Sequence, residues 1–342
     1  MAADPGIREE VFWLADGEDR GHVVFLTRAD GTADPPPPVA ASAELAHRIA
    51  ALDARSADAA LIRAALRASV DSARYWQAPD AEDGVASLPD VRDALFGVAE
   101  AVAVGTAWRQ PRATEQWAID WRAPTDTAPL MTDPSAALAS WAAEQRADEE
   151  RAQRERPRDP HANRSGIWWS VPQRLLSTRA RIADALELIE DSPGWETATL
   201  IPVRGAGRTF EVRSANEWSD LCRTYPMEVT AARRHDWFRL TGRDGRWLIP
   251  DWERVAGEWD AVHLTTLGYL SAAMELVPID DEYASVIAGW APDSTIWLAG
   301  VVREWHGPRE AWMRSSGGDE WIRVEDAPGS PRPGDPAVGG RE

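Results

Sequence analysis

The side chains best suited to chemistry crowd into one stretch, Arg233–Leu270, which reads RRHDWFRLTGRDGRWLIPDWERVAGEWDAVHLTTLGYL. His263 lies between apolar neighbours in DAVHLT. An imidazole that titrates near neutrality serves as a general acid or base, or anchors a substrate. The same position suits a core ring satisfied by a backbone or carboxylate hydrogen bond. His235 is the second catalytic candidate. It adjoins Asp236, but neighbours in a strand point apart, so a partner such as Asp251 or Asp260 would have to come from the fold. Arg233, Arg234 and Arg243 form a local positive cluster, and guanidinium forks recognise phosphate and carboxylate best. Pairing to Asp236, Asp244 and Asp251 is the plainer use of them. Trp168 and Trp169 are consecutive, so one should face the core and the other outward, where it can stack on a base or sugar. With Arg179 and Tyr269 these residues make a candidate substrate cleft, provided that they converge.

Other chemistries are excluded by composition. All 37 basic residues are arginine, which removes Schiff-base lysines and the phosphate-loop lysine. Cys222 is the sole cysteine, so an internal disulfide or a multi-cysteine metal site is not available, and it reads as a small core residue. Asp280, Asp281 and Glu282 lack the spacing and glycine of a calcium loop, and zinc-ligand histidine pairs and a Gly-x-Ser-x-Gly elbow are missing. No metal is expected. A net charge of −19 argues against a nucleic-acid surface. Without a long apolar run or a basic-then-apolar leader pattern, a soluble cytoplasmic protein is expected, with no membrane partner. Nineteen tryptophans against four tyrosines and five phenylalanines mean that indoles do the work of packing or stacking.

The elements that must position these groups are those of two domains, the natural expectation for 342 residues. Residues 1–145 read as a mainly helical domain. A β-hairpin spans 11–27, a proline-fixed connector follows at 35–38, and helices cover 41–54, about 58–76 with Ser56 as cap, and about 89–102. GTAWR at 105–109 and EQWAIDWR look like strands, with Trp117, Ile119 and Trp121 on one buried face. A helix opened by Pro134 dissolves into a charged linker at 146–166. Residues 167–325 read as an α+β domain of short, mostly antiparallel strands and a few helices. Its predicted parts are a strand at IWWSVP, a hairpin over LELIEDSPGWETATLIPV and a strand at TFEVR. A helix capped by Ser214 follows, then a hairpin of DWFRL and RWLIP around TGRDG. A short helix capped by Asp251 and strands at DAVHLT, SVIAGW and STIWLAG complete it. The tail at 326–342 is rich in Pro and Gly and is expected to be disordered. The fold class is α+β.

The phrases DSARYWQAPDAED, WWSVP, RTYPMEVT, RRHDWFRLTGRDGRWLIPDW, WDAVHLTTLGYL and AGWAPDSTIWL resemble those of a family of uncharacterised actinobacterial proteins, over most of 55–305. That family brings no activity with it. The second domain alone is faintly similar to the ADP-ribosyltransferase superfamily, whose small split sheet clamps NAD. This resemblance would imply an NAD- or nucleotide-binding enzyme. The chain departs from the pattern, however, with no Glu-x-Glu pair and no Ser-Thr-Ser strand, which leaves the ribose-orienting glutamate unassigned. Since no catalytic constellation is complete, the first expectation is a non-catalytic binding or interaction module, with a ligand cleft in the second domain and a protein partner. The ADP-ribosyltransferase-like enzyme is the alternative, and NAD is an expected cofactor only there.

Overall fold

Ile7, Val11, Leu14 and Ala15 recur at the three-and-four spacing of a helix, and they are the buried face of α1 (Pro5–Glu18). The computed structural model describes residues 5–18, 42–103, 107–122, 133–190, 194–315 and 320–326. The first arm of the hairpin expected at 11–27 is therefore helical as far as Glu18, because helical periodicity outweighs the β preference of VFWL. Its second arm, the prolines at 35–38 and the 327–342 tail lie outside the described residues. Three further helices share a small core with α1: α2 (Ser42–Ala50) and, after α3 (Ala59–Ser72), α4 (Ala81–Ser87) and α5 (Pro89–Ala103). Asp58, rather than Ser56, caps α3 by accepting from the Leu61 amide at 2.8 Å. Asp80 and Asp83 form a reciprocal capping box on α4. At 107–109 a short 3₁₀ turn replaces the end of the strand expected from GTAWR.

Two sheets follow. Their elements in chain order begin with β1 (Glu115–Asp120), α6 (Ser135–Glu155), β2 (Ser177–Arg179), α7 (Ile182–Glu187), β3 (Thr197–Gly205) and β4 (Thr209–Val212). Then come α8 (Ala215–Thr224), β5 (Pro226–Glu228), α9 (Thr230–Thr241), β6 (Arg246–Pro250), α10 (Trp252–Val255), β7 (Ala261–Leu264) and α11 (Thr266–Leu270). Six strands close the set: β8 (Val277–Pro278), β9 (Tyr283–Ser285), β10 (Ser294–Trp297), β11 (Val302–Glu304), β12 (Glu310–Arg314) and β13 (Trp321–Arg323). The larger sheet runs β13-β12-β3-β1-β2-β10-β7-β4, with β11 also on β3, and the smaller runs β5-β6-β9-β8. Pairing is antiparallel except for β4 with β7 and β6 with β9. The protein is thus a mixed α+β structure. Among the described residues no helix is long and apolar enough to cross a membrane.

The charged stretch after Pro134 is not a solvated linker at its start. α6 continues to Glu155 and buries Gln145, Asp148, Glu149 and Ala152 against its neighbours. Glu149 accounts for this: its two carboxylate oxygens accept from the amides of Ala231 at 3.0 Å and Ala232 at 2.8 Å, in the first turn of α9. Helix N-termini carry unsatisfied donors and a positive dipole end, so a carboxylate from another helix is a cap supplied in trans. Glu149→Ala should lower the unfolding free energy by about 1–3 kcal/mol, because two buried donors lose their acceptor. Equilibrium urea unfolding measures it, and an unchanged midpoint would show that the contact carries no weight.

The hairpin expected from DWFRL and RWLIP is instead helix α9 followed by strand β6. Gly242, read as part of a hairpin tip, has φ +71° and closes α9, its amide bonding to the Phe238 carbonyl at 2.8 Å. A left-handed glycine ends helices as readily as it turns hairpins. LELIE is likewise not a strand arm: α7 buries Ala185 and Leu186, while the arm at Thr197–Gly205 is β3 as expected. TFEVR, the Ser214-capped α8, the Asp251 cap, DAVHLT and STIWLAG fall on β4, α8, α10, β7 and β10.

The main core is built of indoles. Trp218, Trp252 and Trp290 meet with ring centroids 5.8–6.3 Å apart, and Trp237 meets Trp247 edge-on at 5.3 Å. Cys222 sits in the first of these clusters, its thiol pushed up to about 12 by burial. At Gly205 a β-carbon would lie 1.9 Å from the Trp297 ring, so only glycine lets β3 pass that indole.

Candidate functional site

Register assigns the two faces of the larger sheet. Thr178, Thr295, His263 and Glu211 stand in one row across β2, β10, β7 and β4. Trp117, Arg179, Ser294 and Leu264 stand in the next. Side chains alternate, so Arg179 and His263 belong to opposite faces.

The Arg179 face opens into a cleft of about 550 Å³. Trp121 and Trp195, stacked at 4.4 Å and 10°, form one wall. Trp168, Trp169 and Trp290 form the other, and Gln173, Ser177, Arg179, Ser294 and Glu190 supply polar side chains. Trp168 stacks on Tyr75 at 5.6 Å and touches Trp76, whereas Trp169 keeps 38% of its surface exposed. The consecutive tryptophans do not take opposite faces: their rings meet edge-on at 5.3 Å and both line the cleft, Trp168 the more covered of the two.

The wall at 168–170 is not the strand expected from IWWSVP. It is an extended segment held by its carbonyls: Trp168 accepts from the Trp237 indole at 3.1 Å, Trp169 from Arg233 at 3.1 Å and Ser170 from the Trp252 indole at 2.9 Å. Ser170 also exchanges hydrogen bonds with the backbone of Ala288, through its amide at 3.0 Å and its hydroxyl. Gly289 follows at φ +74°, where a β-carbon would fall 2.3 Å from Trp169 Cδ1, so both the backbone and the ring require glycine.

Arg179 is 93% buried by its residual exposure of 7%. One Nη donates to Ser177 Oγ at a long 3.3 Å, and Nε has no partner. Among the described residues it makes no ion pair. Burial pulls its pKa down to about 10, against the attraction of Asp293, Asp184 and Glu190. A buried cation without a bonded counter-ion is costly. Ser177 and Ser294 share a hydrogen bond of 2.9 Å beside it.

Glu190 presents the complementary oddity. Its Oε1 accepts from the Tyr75 hydroxyl at 2.6 Å, while Oε2 is buried with no hydrogen-bond partner. Burial pushes its carboxyl up to about 7, against the stabilising influence of Tyr75, Tyr269 and the amides of Gly289 and Trp290. Burial, and then the same carboxyl, hold the Tyr75 and Tyr269 hydroxyls well above the ordinary phenol range. A carboxylic acid poised at neutrality can donate or accept at the cleft.

Of the residues singled out from the sequence, Trp168, Trp169 and Arg179 converge on this cleft, and Tyr269 backs it through Glu190. The others do not. Arg233 is fully buried behind the wall, bonded to Gln145 and Trp169. Arg234 donates to the Pro157 carbonyl at 3.2 Å and Arg243 to that of Glu282 at 2.8 Å, so the expected arginine cluster is dispersed. His235 lies on α9, where burial and then Arg234 and Arg156 hold its pKa below the usual value.

His263 ends a buried polar relay on the far face. The Trp297 indole, a donor only, bonds Thr178 Oγ1 at 2.8 Å, so the Thr178 hydroxyl must donate to Gln116 Oε1, also at 2.8 Å. Gln116 Nε2 then donates to Thr295 Oγ1 at 2.9 Å, and Thr295 Oγ1 and His263 Nδ1 share a hydrogen bond of 3.0 Å. The other ring nitrogen, Nε2, faces Asp293 at 3.7 Å. Burial, then Arg179 and Arg112, pull the pKa of His263 down to about 3. Its imidazole NMR signals should therefore not titrate between about pH 5 and 8, and a midpoint near 6.5 would contradict the relay.

Glu190, Ser177, Ser294, Trp121, Trp195 and Trp290 are the cleft residues that sequence reasoning did not select. No protein-family model matches this chain, and no match was found among curated proteins or solved structures.

Proposed function

We propose that the protein is a binding module whose cleft takes a small anionic molecule carrying a flat ring. The observation that carries this reading is Arg179, a buried guanidinium that lines an indole-walled cleft and whose enclosed Nε has no hydrogen-bond partner. Guanidinium edges bind carboxylate and phosphate, and aromatic walls bind rings, so the lining matches the usual design of a ligand pocket. A protein-docking role through tryptophan-rich faces has less support. Trp169 is the one tryptophan among the exposed large hydrophobics of the described residues, and Trp218, Trp237, Trp247, Trp252 and Trp297 are core.

A second reading is favoured by Glu190. A carboxyl balanced near neutrality beside an anion site suits an enzyme acting on NAD or another nucleotide, as in the ADP-ribosyltransferase superfamily. His263 and His235 would have no direct part in it, since neither lines the cleft.

Ligand-dependent melting of the full chain tests the module. NAD, AMP and 2-naphthoate at millimolar concentration form the panel, and at least one should raise the melting temperature by a few degrees, an effect that Arg179→Gln abolishes. No shift with any of the three would overturn the reading. Slow turnover of NAD to free nicotinamide, lost in Glu190→Gln, would move the assignment to the enzyme.

A further inference from the structure

Resting on the reading of the cleft as an anion site, we propose that its ligand class is an aromatic monocarboxylate, bound against Arg179 with Glu190 in its neutral acid form.

Charge selects the class. Among the lining residues Arg179 is the only cation and Glu190 the only acid. Asp293 and Asp184 also act on Arg179 from behind the cleft. One guanidinium already shared with those carboxylates can balance a single ligand charge, and a phosphate monoester would bring a second one without a matching cation. Shape points the same way. A planar carboxylate meets two parallel N–H groups along the Nε edge of arginine, and Nε is the atom left without a partner. The Trp290 indole N–H is also buried and unpartnered at this cleft, a further donor with no acceptor. Five indoles and the side chains of Ile119, Ile189 and Ile296 complete an apolar enclosure for a ring.

Glu190 sets the condition. The groups that face it are the Tyr75 hydroxyl from the segment after α3, the Tyr269 hydroxyl from α11, the Arg179 charge from β2 and the amides of Gly289 and Trp290. Ionised, it would repel an incoming carboxylate and compete with it for Arg179. As an acid it carries no charge, and its enclosed Oε2, which has no hydrogen-bond partner, need not be held there as an anion. Burial places its pKa at about 7, so the required form is lost as the pH rises through neutrality. The stability contribution has the same sign. The raised pKa means that the folded state holds its proton more tightly than the unfolded chain, and this advantage, full below the ordinary value of 4.5, is lost as the pH rises to about 7.

Calorimetric titration of the full chain with 2-naphthoate, 2-naphthamide and 2-naphthyl phosphate, at about pH 6 and pH 8.5, tests the proposal. The carboxylate should bind at least about tenfold more tightly than the other two, and its affinity should fall roughly 30-fold between the two pH values. Glu190→Gln, a neutral mimic of the acid, should bind at the higher pH as tightly as the wild type does at the lower. Tyr75→Phe removes a hydrogen bond that favours the carboxylate form, so the fall should move to higher pH, a shift that a merely structural role would not produce. Phosphate bound as tightly as carboxylate, a pH-independent affinity, or an unchanged slope in Glu190→Gln would each overturn the inference and leave the anion cleft standing. No binding of any probe at either pH would remove the cleft reading and this inference together.

Discussion

Arg233→Ala should lower the unfolding free energy by about 3–5 kcal/mol, more than any other single change considered for this chain. The guanidinium has no exposed surface. It joins three parts of the protein, bonding Gln145 of α6 and the Trp169 carbonyl of the cleft wall from its own place on α9. Asp148 lies 3.7 Å away, close enough to offset the charge, and Arg156 is 3.9 Å from the same carboxylate. Truncation leaves a cavity, an acceptor on Gln145 and a buried carbonyl, each without a partner. Arg233→Lys should recover only part of this, because a single ammonium cannot sit both at Gln145 and Trp169, where Nη2 is, and beside Asp148, where Nη1 is. Chemical unfolding of both variants measures this. A loss below about 1 kcal/mol for alanine would mean that water replaces the side chain and that the wall does not depend on it.

Arg179→Met should act in the opposite direction, raising stability by about 1–3 kcal/mol while removing ligand binding. Arg179 is nearly as deeply placed as Arg233, and Nε is unpartnered in both, but Arg179 lacks the two acceptors that Arg233 Nη2 meets and the Asp148 carboxylate beside Nη1. Methionine fills similar space without a charge to desolvate. A residue that weakens the fold and is nonetheless present at the base of a cleft is best understood through what the cleft holds. A loss of stability greater than about 2 kcal/mol would show that Asp293 and Asp184 already satisfy Arg179 and that it is structural.

The two arginines show how far the sequence could lead. Residue type marked both as anion-recognising, but pairing separates them, and the partners Gln145 and Trp169 are 88 and 64 positions distant from Arg233. Local signals were read correctly where the physics is local. Asp251 accepts from the Arg254 amide as the cap of α10, Ser214 caps α8, and Pro89 opens α5. They misled where one residue type serves two purposes. Gly242 ends a helix in place of turning a hairpin, and VFWL completes a helical stripe. The acidic run of α6 looked solvated because its purpose, capping α9, lies 82 positions away.

The site was legible in part for the same reasons. Trp168, Trp169 and Arg179 stood out by type, and β7 was placed correctly around His263. Which face His263 takes depends on register, and a one-residue difference separates its row from that of Arg179. Glu190 gave no signal at all. It precedes a turn-like Asp-Ser-Pro-Gly run, and the hydroxyl that holds it comes from Tyr75, 115 residues earlier. Trp117, Ile119 and Trp121 were expected to share a buried face. They do share one face, packed against Ala185, Leu186, Ala198, Leu200 and Trp321, while Gln116 and Ala118 opposite are more fully covered, and Ile119 and Trp121 also border the cleft.

The most direct measurement of the central claim is a crystal structure of the protein soaked with 2-naphthoate. The account predicts the carboxylate within about 3 Å of Arg179 Nε, as a charge-assisted pair requires, and the ring between the indoles of Trp168 and Trp195. A ring bound elsewhere, or a carboxylate turned away from an unchanged Arg179, would contradict it.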